Sequence, residues 1–419
     1  MLFMVKYFMT KGITRKMIRD CLKRYEISLD DLDKNAIIEF KEEMKKLSDS
    51  RQKSKCVYKI WDIVVTAFIA VLANQNTWEE IHEFVDIKYD FFKQFLKMTG
   101  GVASAKTYER IFSIIQPQEL ENICTLFTIK ILKLFNPTRD ILSIDGKTDN
   151  GSSRNENELR DAVKSLNVLN VYSTNYEMCL ASEMINDKTN EITTIPNILK
   201  RVNAKGAIVT WDALNTQKTN IDAVIEAKAD YVVALKANHQ AFYDDLVLYF
   251  DEDKLDMIKV GALKSSYCIN VEKANSSVIT YEYFQTEDVS WYHDYKSWNN
   301  LHSFGLVRKT IEKNNKISVE KRYYISSLFN DISFFSKAIR NHWNVENKLH
   351  WQLDYTFQAD RNTTMNKKAL FNLQLIKKMS LAIIKNAQDV YHSSLSGIRN
   401  RLAINFEIEI LRLFNIVTK

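Results

Sequence analysis

The chain has 419 residues, 46% of them hydrophobic and 26% charged, with a net charge of +6, the balance of a globular protein long enough for two or three domains. With 9 glycines, 3 prolines and neither a GxxxxGK[ST] nor a GxGxxG run, it lacks the signs of long disordered linkers, nucleotide-triphosphate loops and dinucleotide-binding turns. The five cysteines (Cys21, Cys56, Cys124, Cys179, Cys268) form no CxxC pair and no Cys/His cluster at zinc spacing, which points to free thiols in a reducing cytosol.

Residues 1–60 hold 15 Lys/Arg against 9 Asp/Glu, so this segment carries the whole excess charge. Over residues 1–35 a basic helical extension is expected: Ile18, Cys21, Leu22 and Ile27 share one face, with Arg15, Lys16, Arg19, Lys23 and Arg24 around it. Ser28 can cap a second helix with Asp30 and Asp31 in its first turn. Docking on a DNA backbone and packing as a small helical unit both suit this pattern. The opening MLFMVKYFMTKG carries Lys6 within its apolar run and no small-residue cleavage site, so no signal peptide is expected.

Residues 36–136 read as a helical region. The run Ile63 to Ala73 is a buried helix, too short for the roughly 20 residues that cross a bilayer. Thr77 and Ser104 stand as N-caps of further helices, and Pro117 opens one that ends before Pro137. The pattern changes over 137–250, where short branched runs at Ile141–Ile144, Val168–Tyr172, Met178–Met184, Ala207–Trp211 and Tyr231–Leu235 read as strands. Helices are expected at Ile195–Val202, with Pro196 in its first turn, and at Asn220–Ala227. Strands alternating with helices make an α/β unit with a mixed sheet. Residues 251–320 are rich in β-formers and read as an insertion that returns to the main sheet near Arg322–Ile325. Residues 321–390 continue into a long helical stretch from Ile332 to about Ala387, and 391–419 into a C-terminal helical tail.

Three acids stand out. Asp145 ends the run Ile141–Ile144, Asp212 ends Ala207–Trp211, and Glu346 sits in the aromatic-rich helical segment HWNVENKLHW. Two carboxylates at strand ends and one on a helix can hold two divalent ions roughly 3.5–4 Å apart, which neutralise the attacking and leaving oxygens of a phosphodiester. Hard oxygen ligands favour Mg²⁺ or Mn²⁺ over zinc. Gly146 is expected to turn the backbone sharply beyond the strand and Lys147 to stand near a phosphate; an Asp that merely caps the following turn is the competing reading. Asp354 and Asp360 compete with Glu346, and Glu346, His350 and Asp354 fall at i, i+4, i+8 on one helical face. His342 and His350 are read as structural or DNA-facing rather than as ligands, and Arg340 as within reach of a phosphate or simply on the surface. The absence of GxSxG excludes a serine-hydrolase elbow. A paired-carboxylate glycosidase has no support beyond the number of aromatics.

These motifs resemble the DDE transposases of bacterial insertion sequences, in the H-repeat-associated (ISAs-type) branch. The resemblance runs from about residue 40 to 400 through ordered blocks: SDSRQKSKCVYKIWDIVVTAFIAVLANQNTWEEIHEF, GVASAKTYERIFSIIQP, SIDGKT, KTNEITTIPNIL, GAIVTWDALNTQ, ADYVVALKANH, RYYISSL and IRNHWNVENKLHWQLDYTFQAD. It implies an RNase H-like catalytic core over 137–250 and 321–390, with the β-rich insertion between the second Asp and the Glu. It implies that Asp145, Asp212 and Glu346 bind two Mg²⁺ or Mn²⁺ ions. Lys147, Glu191, Asn238, Arg322, Arg340, His342 and Asn347 become motif positions near the site, all but Glu191 taken as nucleic-acid-binding. The implied partners are double-stranded DNA, as terminal inverted repeats and target, and a second copy of the chain in a synaptic homodimer; no membrane is implied, and the location is cytoplasmic and nucleoid-associated. The implied reaction is DNA cleavage followed by strand transfer, that is, transposition. A repurposed, inactive DNA-binding relative and an RNase H-fold nuclease without strand transfer are the alternatives. The wider superfamily's accompanying Tyr, Arg and Lys fall here on Ile339, His342 and Leu353, and Trp211 and Ala237-Asn238-His239 also depart from the usual pattern.

Overall fold

The computed structural model describes residues 36–134, 139–153, 164–185, 190–262, 264–274 and 277–418; the expected basic extension over 1–35 lies outside the described residues. The chain divides into two compact units, one of Pro137–Lys147 and Asn167–Leu349, the other of Met1–Asn136, Thr148–Leu166 and His350–Lys419.

The first unit is built on a nine-stranded sheet among the described residues, ordered β3-β2-β1-β4-β5-β9-β8-β7-β6. The strands are β1 (Ile141–Asp149), β2 (Leu166–Ser173), β3 (Met178–Ile185), β4 (Ile208–Thr210), β5 (Asp230–Leu235), β6 (Ser265–Ala274), β7 (Ser277–Thr286), β8 (Ser303–Lys313) and β9 (Lys316–Ser326). β1, β4 and β5 run parallel, and β2–β3, β5–β9 and the meander β6 to β9 are antiparallel. The five strands expected over 137–250 are all present, and Tyr323–Ser326 of β9 do return to the sheet beside β5. β6, β7 and β8 fall within the stretch 251–320 read as β-rich.

Side chains alternate across the strands. Leu142, Ile144, Val209, Tyr231 and Val233 enter one core with the helices Glu191–Leu199 and Lys218–Glu226. Ile141, Ile208 and Val232 enter another with Phe335, Ala338 and Ile339 of the helix Ile332–His342. The result is a mixed α/β layer structure with helices on both faces. The helix expected at Ile195–Val202 begins earlier, at Glu191, because Asn190 and Thr193 cap each other reciprocally. Pro196 therefore lies inside the helix rather than in its first turn.

The second unit is helical. Its central helix, Lys367–Asn386, is buried at every position from Ala369 to Ile384, the mark of a helix enclosed on all sides. It packs against Ala105–Ile114, Pro117–Ile131 and Ile60–Leu72. Asn372 on it donates to the carbonyls of Phe112 (2.7 Å) and Ile115 (3.0 Å). Thr77 forms a full capping box with Glu80, and Ser104 accepts from Thr107 N, as their positions led one to expect. The helical stretch expected to run unbroken from Ile332 is interrupted: Gln358 adopts left-handed backbone (φ 49°) and Asn366 starts a new helix by accepting from Ala369 N. The C-terminal helices Leu395–Ile404 and Phe406–Thr418 are anchored here by Phe406, whose ring lies 5.0 Å from that of Phe84 and 4.8 Å from that of Phe91. Among the described residues no helix is long and apolar enough to cross a membrane, and Cys56, Cys124, Cys179 and Cys268 are not in disulfides.

Candidate active site

The parallel register sets Ser143 of β1 opposite Thr210 of β4. Two residues further along each segment stand Asp145 and Asp212, so alternation turns both toward the face covered by the helix Ile332–His342. That helix is held over the two strands by polar contacts. Ser143 Oγ donates to the Asn341 carbonyl at 3.3 Å, and Thr210 Oγ1 lies 2.7 Å from His342 Nδ1. His342 Nε2 stands 3.5 Å from Asp212 Oδ1. A carboxylate only accepts, so Nε2 is the donor toward Asp212; in the tautomer protonated there alone, Nδ1 accepts from the threonine hydroxyl.

Beyond His342 the chain enters a π-helical turn, Val345–His350, with Val345 and Leu349 buried and Glu346 and Asn347 exposed. Glu346 acts on Asp145, whereas Asp354 belongs with acids of the other unit.

Burial pushes the Asp145 carboxyl up to about 7; the nearby His342 opposes this, and Asp212, Glu191 and Glu346 push it further. The Asp212 carboxyl is held below its ordinary range, chiefly by the hydrogen bond from His342. The structure thus brings Asp145, Asp212 and Glu346 into one electrostatic neighbourhood and adds Glu191. An all-oxygen donor set without thiols suits a hard divalent ion, and repulsion among these acids is what such an ion would relieve.

Two local expectations are corrected. Gly146 does not end the strand, since β1 continues to Asp149. Its missing side chain instead leaves room for Glu191, whose Oε1 and Cδ would collide with any Cβ at 146. Lys147 is buried within β1, at 8% exposure, which does not present its ammonium to a phosphate.

The other motif residues separate. Asn238 donates to the Ala213 carbonyl at 2.8 Å and so pins the turn that follows Asp212. Arg322 lies against the ring of Trp343 (5.2 Å), bonds Glu320 at 2.7 Å and acts on Asp212. Arg340 is ion-paired with Glu272 and lies over Tyr281 at 4.7 Å, away from the acids. Arg322, Arg340 and Asn347 border a cavity of about 240 Å³ that Tyr281, Tyr283, Lys309 and Tyr324 also line. Trp211, the unusual residue before Asp212, is buried on the opposite face and donates from Nε1 to Thr216 Oγ1 at 3.2 Å.

In the helical unit, Asp149, Asp354 and Asp360 bring ligand atoms within 4.8 Å of one another, a closeness that Asp145, Asp212 and Glu346 do not show. Gln374 donates to Asp149, and the buried Lys377 lies within reach of Asp149 and Asp354. Only Asp149 of the three is buried, and the Lys377 ammonium donates to the Phe357 carbonyl. The resemblance set Glu191 and His342 near the site without a role for either; nothing in the sequence pointed to the Thr210–His342 contact, since a threonine two residues before an aspartate carries no signal until the helix is placed.

Comparison with known proteins gives a consistent picture. The family described as Transposase DDE domain matches residues 136–383, and the one described as DDE_Tnp_1-associated matches 41–128. An "Uncharacterized protein in dhlA 3'region" of Xanthobacter autotrophicus is 30% identical over 271 residues, covering 65% of this chain and 88% of that one. The "H repeat-associated putative transposase YhhI" of Escherichia coli is 28% identical over 349 residues, covering 81% and 88%. Among solved structures, a piggyBac transposase synaptic complex with hairpin DNA aligns with 90% of this chain and 79% of its own, at a TM-score of 0.39 and 11% identity.

Proposed function

Because the chain belongs to the DDE transposase family, alongside its H-repeat-associated members, we propose that it cleaves DNA at the ends of an insertion sequence and joins the freed ends to target DNA. Asp145, Asp212 and Glu346 would hold two Mg²⁺ or Mn²⁺ ions. What supports this reading is the pairing of β1 with β4, the contact of Thr210 with His342, and the electrostatic action of Asp212 and Glu346 on Asp145. The strand order β3-β2-β1-β4-β5 is read as an RNase H-like core that the meander extends.

When bound, the ions supply Lewis acidity for the attacking and leaving oxygens. The chain's own part is positioning. β1 and β4 fix Asp145 and Asp212 side by side, His342 holds the Asp212 carboxylate in one orientation, and Asn238 fixes the turn behind it. Arg322, Lys309 and Asn347, along the same face, would receive phosphates of a double-stranded end. Two copies would act together on paired ends. A labelled terminal fragment incubated with and without Mg²⁺ tests this: wild type should nick and join it, and Asp145→Asn should do neither. Cleavage without joined products would instead assign a nuclease.

A further inference from the structure

We propose that Glu191 is a fourth carboxylate of the ion-holding site, a positioning residue that braces the Asp145 and Asp212 segments and lends its charge to the bound ions. This rests on the reading of Asp145, Asp212 and Glu346 just given.

Glu191 is the first residue of its helix. An acid there is commonly explained by the helix dipole, but this helix start is already served by the reciprocal Asn190–Thr193 cap. The Glu191 carboxylate is engaged elsewhere. Oε1 and Cδ occupy the space over Gly146 that a Cβ would fill. Oε2 accepts from Asn215 Nδ2 at 2.7 Å, and Asn215, only 1% exposed, closes the turn directly after Asp212. One side chain therefore touches the residue after the first aspartate and the turn after the second.

A brace alone does not need a charge. Glutamine has the same length, and its carbonyl oxygen would accept the Asn215 amide equally well. A glutamate in this place instead sets a further negative charge directly over the residue next to Asp145. Gathering like charges is unfavourable unless a cation meets them. Bound ions would balance this charge, which the amide of Asn215 does not. The glycine of the Asp-Gly-Lys sequence follows from the same contact: residue 146 must lack a side chain for Glu191 to stand there.

The test uses the full chain and Mn²⁺ alone as probe, with bound ion followed by electron paramagnetic resonance, folding by thermal melting and DNA binding by anisotropy. Glu191→Gln should melt and bind DNA as wild type does but need roughly tenfold more Mn²⁺ for half-occupancy, a change of about 1.4 kcal/mol. Glu191→Asp, which keeps the charge, should stay near wild type. If the Gln variant binds Mn²⁺ as wild type does, or the Asp variant binds as weakly as the Gln variant, charge is not the role and the proposal is wrong. Should Glu191→Gln fail to fold, Glu191→Asp against Glu191→Ala decides by the same criterion, with equal weakening overturning it. A wild type that binds Mn²⁺ no better than Asp145→Asn would remove the underlying three-acid reading as well, an outcome distinct from a failure confined to Glu191.

Discussion

Asp149, Asp354 and Asp360 lie closer to one another than Asp145, Asp212 and Glu346 do, yet the tighter group is the less plausible reactive centre. It sits in the helical unit against a fully buried Lys377 and the amide of Gln374. The looser group has Asp145 within β1, Asp212 just after β4 and Glu346 beyond His342, and three other acids and one imidazole act on Asp145. Closeness of carboxylates is thus a poor guide to ion binding. What faces them is the better one: a lysine makes an internal ion group, whereas mutual repulsion near solvent asks for a cation from outside.

That contrast can be broken most directly at the acids themselves. Asp145→Asn, Asp212→Asn and Glu346→Gln should each lower Mg²⁺-dependent cleavage by about three orders of magnitude or more, about 4 kcal/mol of transition-state stabilisation. DNA binding and melting temperature should stay near wild type. Asp149→Asn should do the reverse, lowering stability while the protein that folds still cleaves. Swapped phenotypes in gel cleavage and melting assays would invert the comparison.

In the helical unit, Lys377→Met removes the partner of buried acids and should cost about 3 kcal/mol by urea unfolding. Burial, with Arg399 adding to it, lowers the Lys377 ammonium from 10.5 to about 7, against the pull of Asp149, Glu80 and Asp354. Between those two values the unfolded chain keeps a proton that the folded chain releases, so unfolding takes up protons and stability rises with pH. The slope from this group is at most about 1.4 kcal/mol per pH unit. The stability gap between wild type and Lys377→Met should accordingly widen as pH rises through that window; a constant gap would show that the ammonium is not depressed.

Thr210→Val leaves His342 Nδ1 without its hydroxyl partner and should reduce cleavage about tenfold with stability changed by less than about 1 kcal/mol. An unaltered rate would mean that His342 does not orient Asp212. The smallest effect is expected at Lys309, on the rim of the aromatic cavity. Lys309→Ala should weaken DNA binding a few-fold and flatten the log–log salt dependence by about one charge, and an unchanged slope would place the DNA elsewhere.

Much of this fold could be read in advance where one signal dominates locally. The branched runs before Asp145 and Asp212 are strands, Thr77 and Ser104 cap helices, and Pro117 opens one. Errors arose where a neighbour overrides the local signal. Asp-Gly-Lys reads as a turn, but β1 runs through it because Glu191 needs the space over Gly146. The aromatic-rich stretch around Glu346 reads as an unbroken helix, but burial of Val345 and Leu349 accompanies a π turn. The C-terminal helices are present as expected, but their packing was not legible: Arg399, fully buried, bonds the Val71 carbonyl and Asn76 and lies over Phe357 at 3.9 Å.

The sequence by itself determined which residues could bear the chemistry: two aspartates each closing an apolar strand and a glutamate in a helical segment, in an order that resembles one family. Local propensity and alternation suffice for that, because each is written within a few neighbouring residues. Only the tertiary structure decided that β1 and β4 lie parallel in the register that sets Asp145 beside Asp212, that His342 joins Thr210 to Asp212, and that Glu191 enters while Lys147 withdraws. Those outcomes depend on contacts between residues dozens to nearly two hundred positions apart, and side-chain type alone does not encode which distant surface a residue will meet.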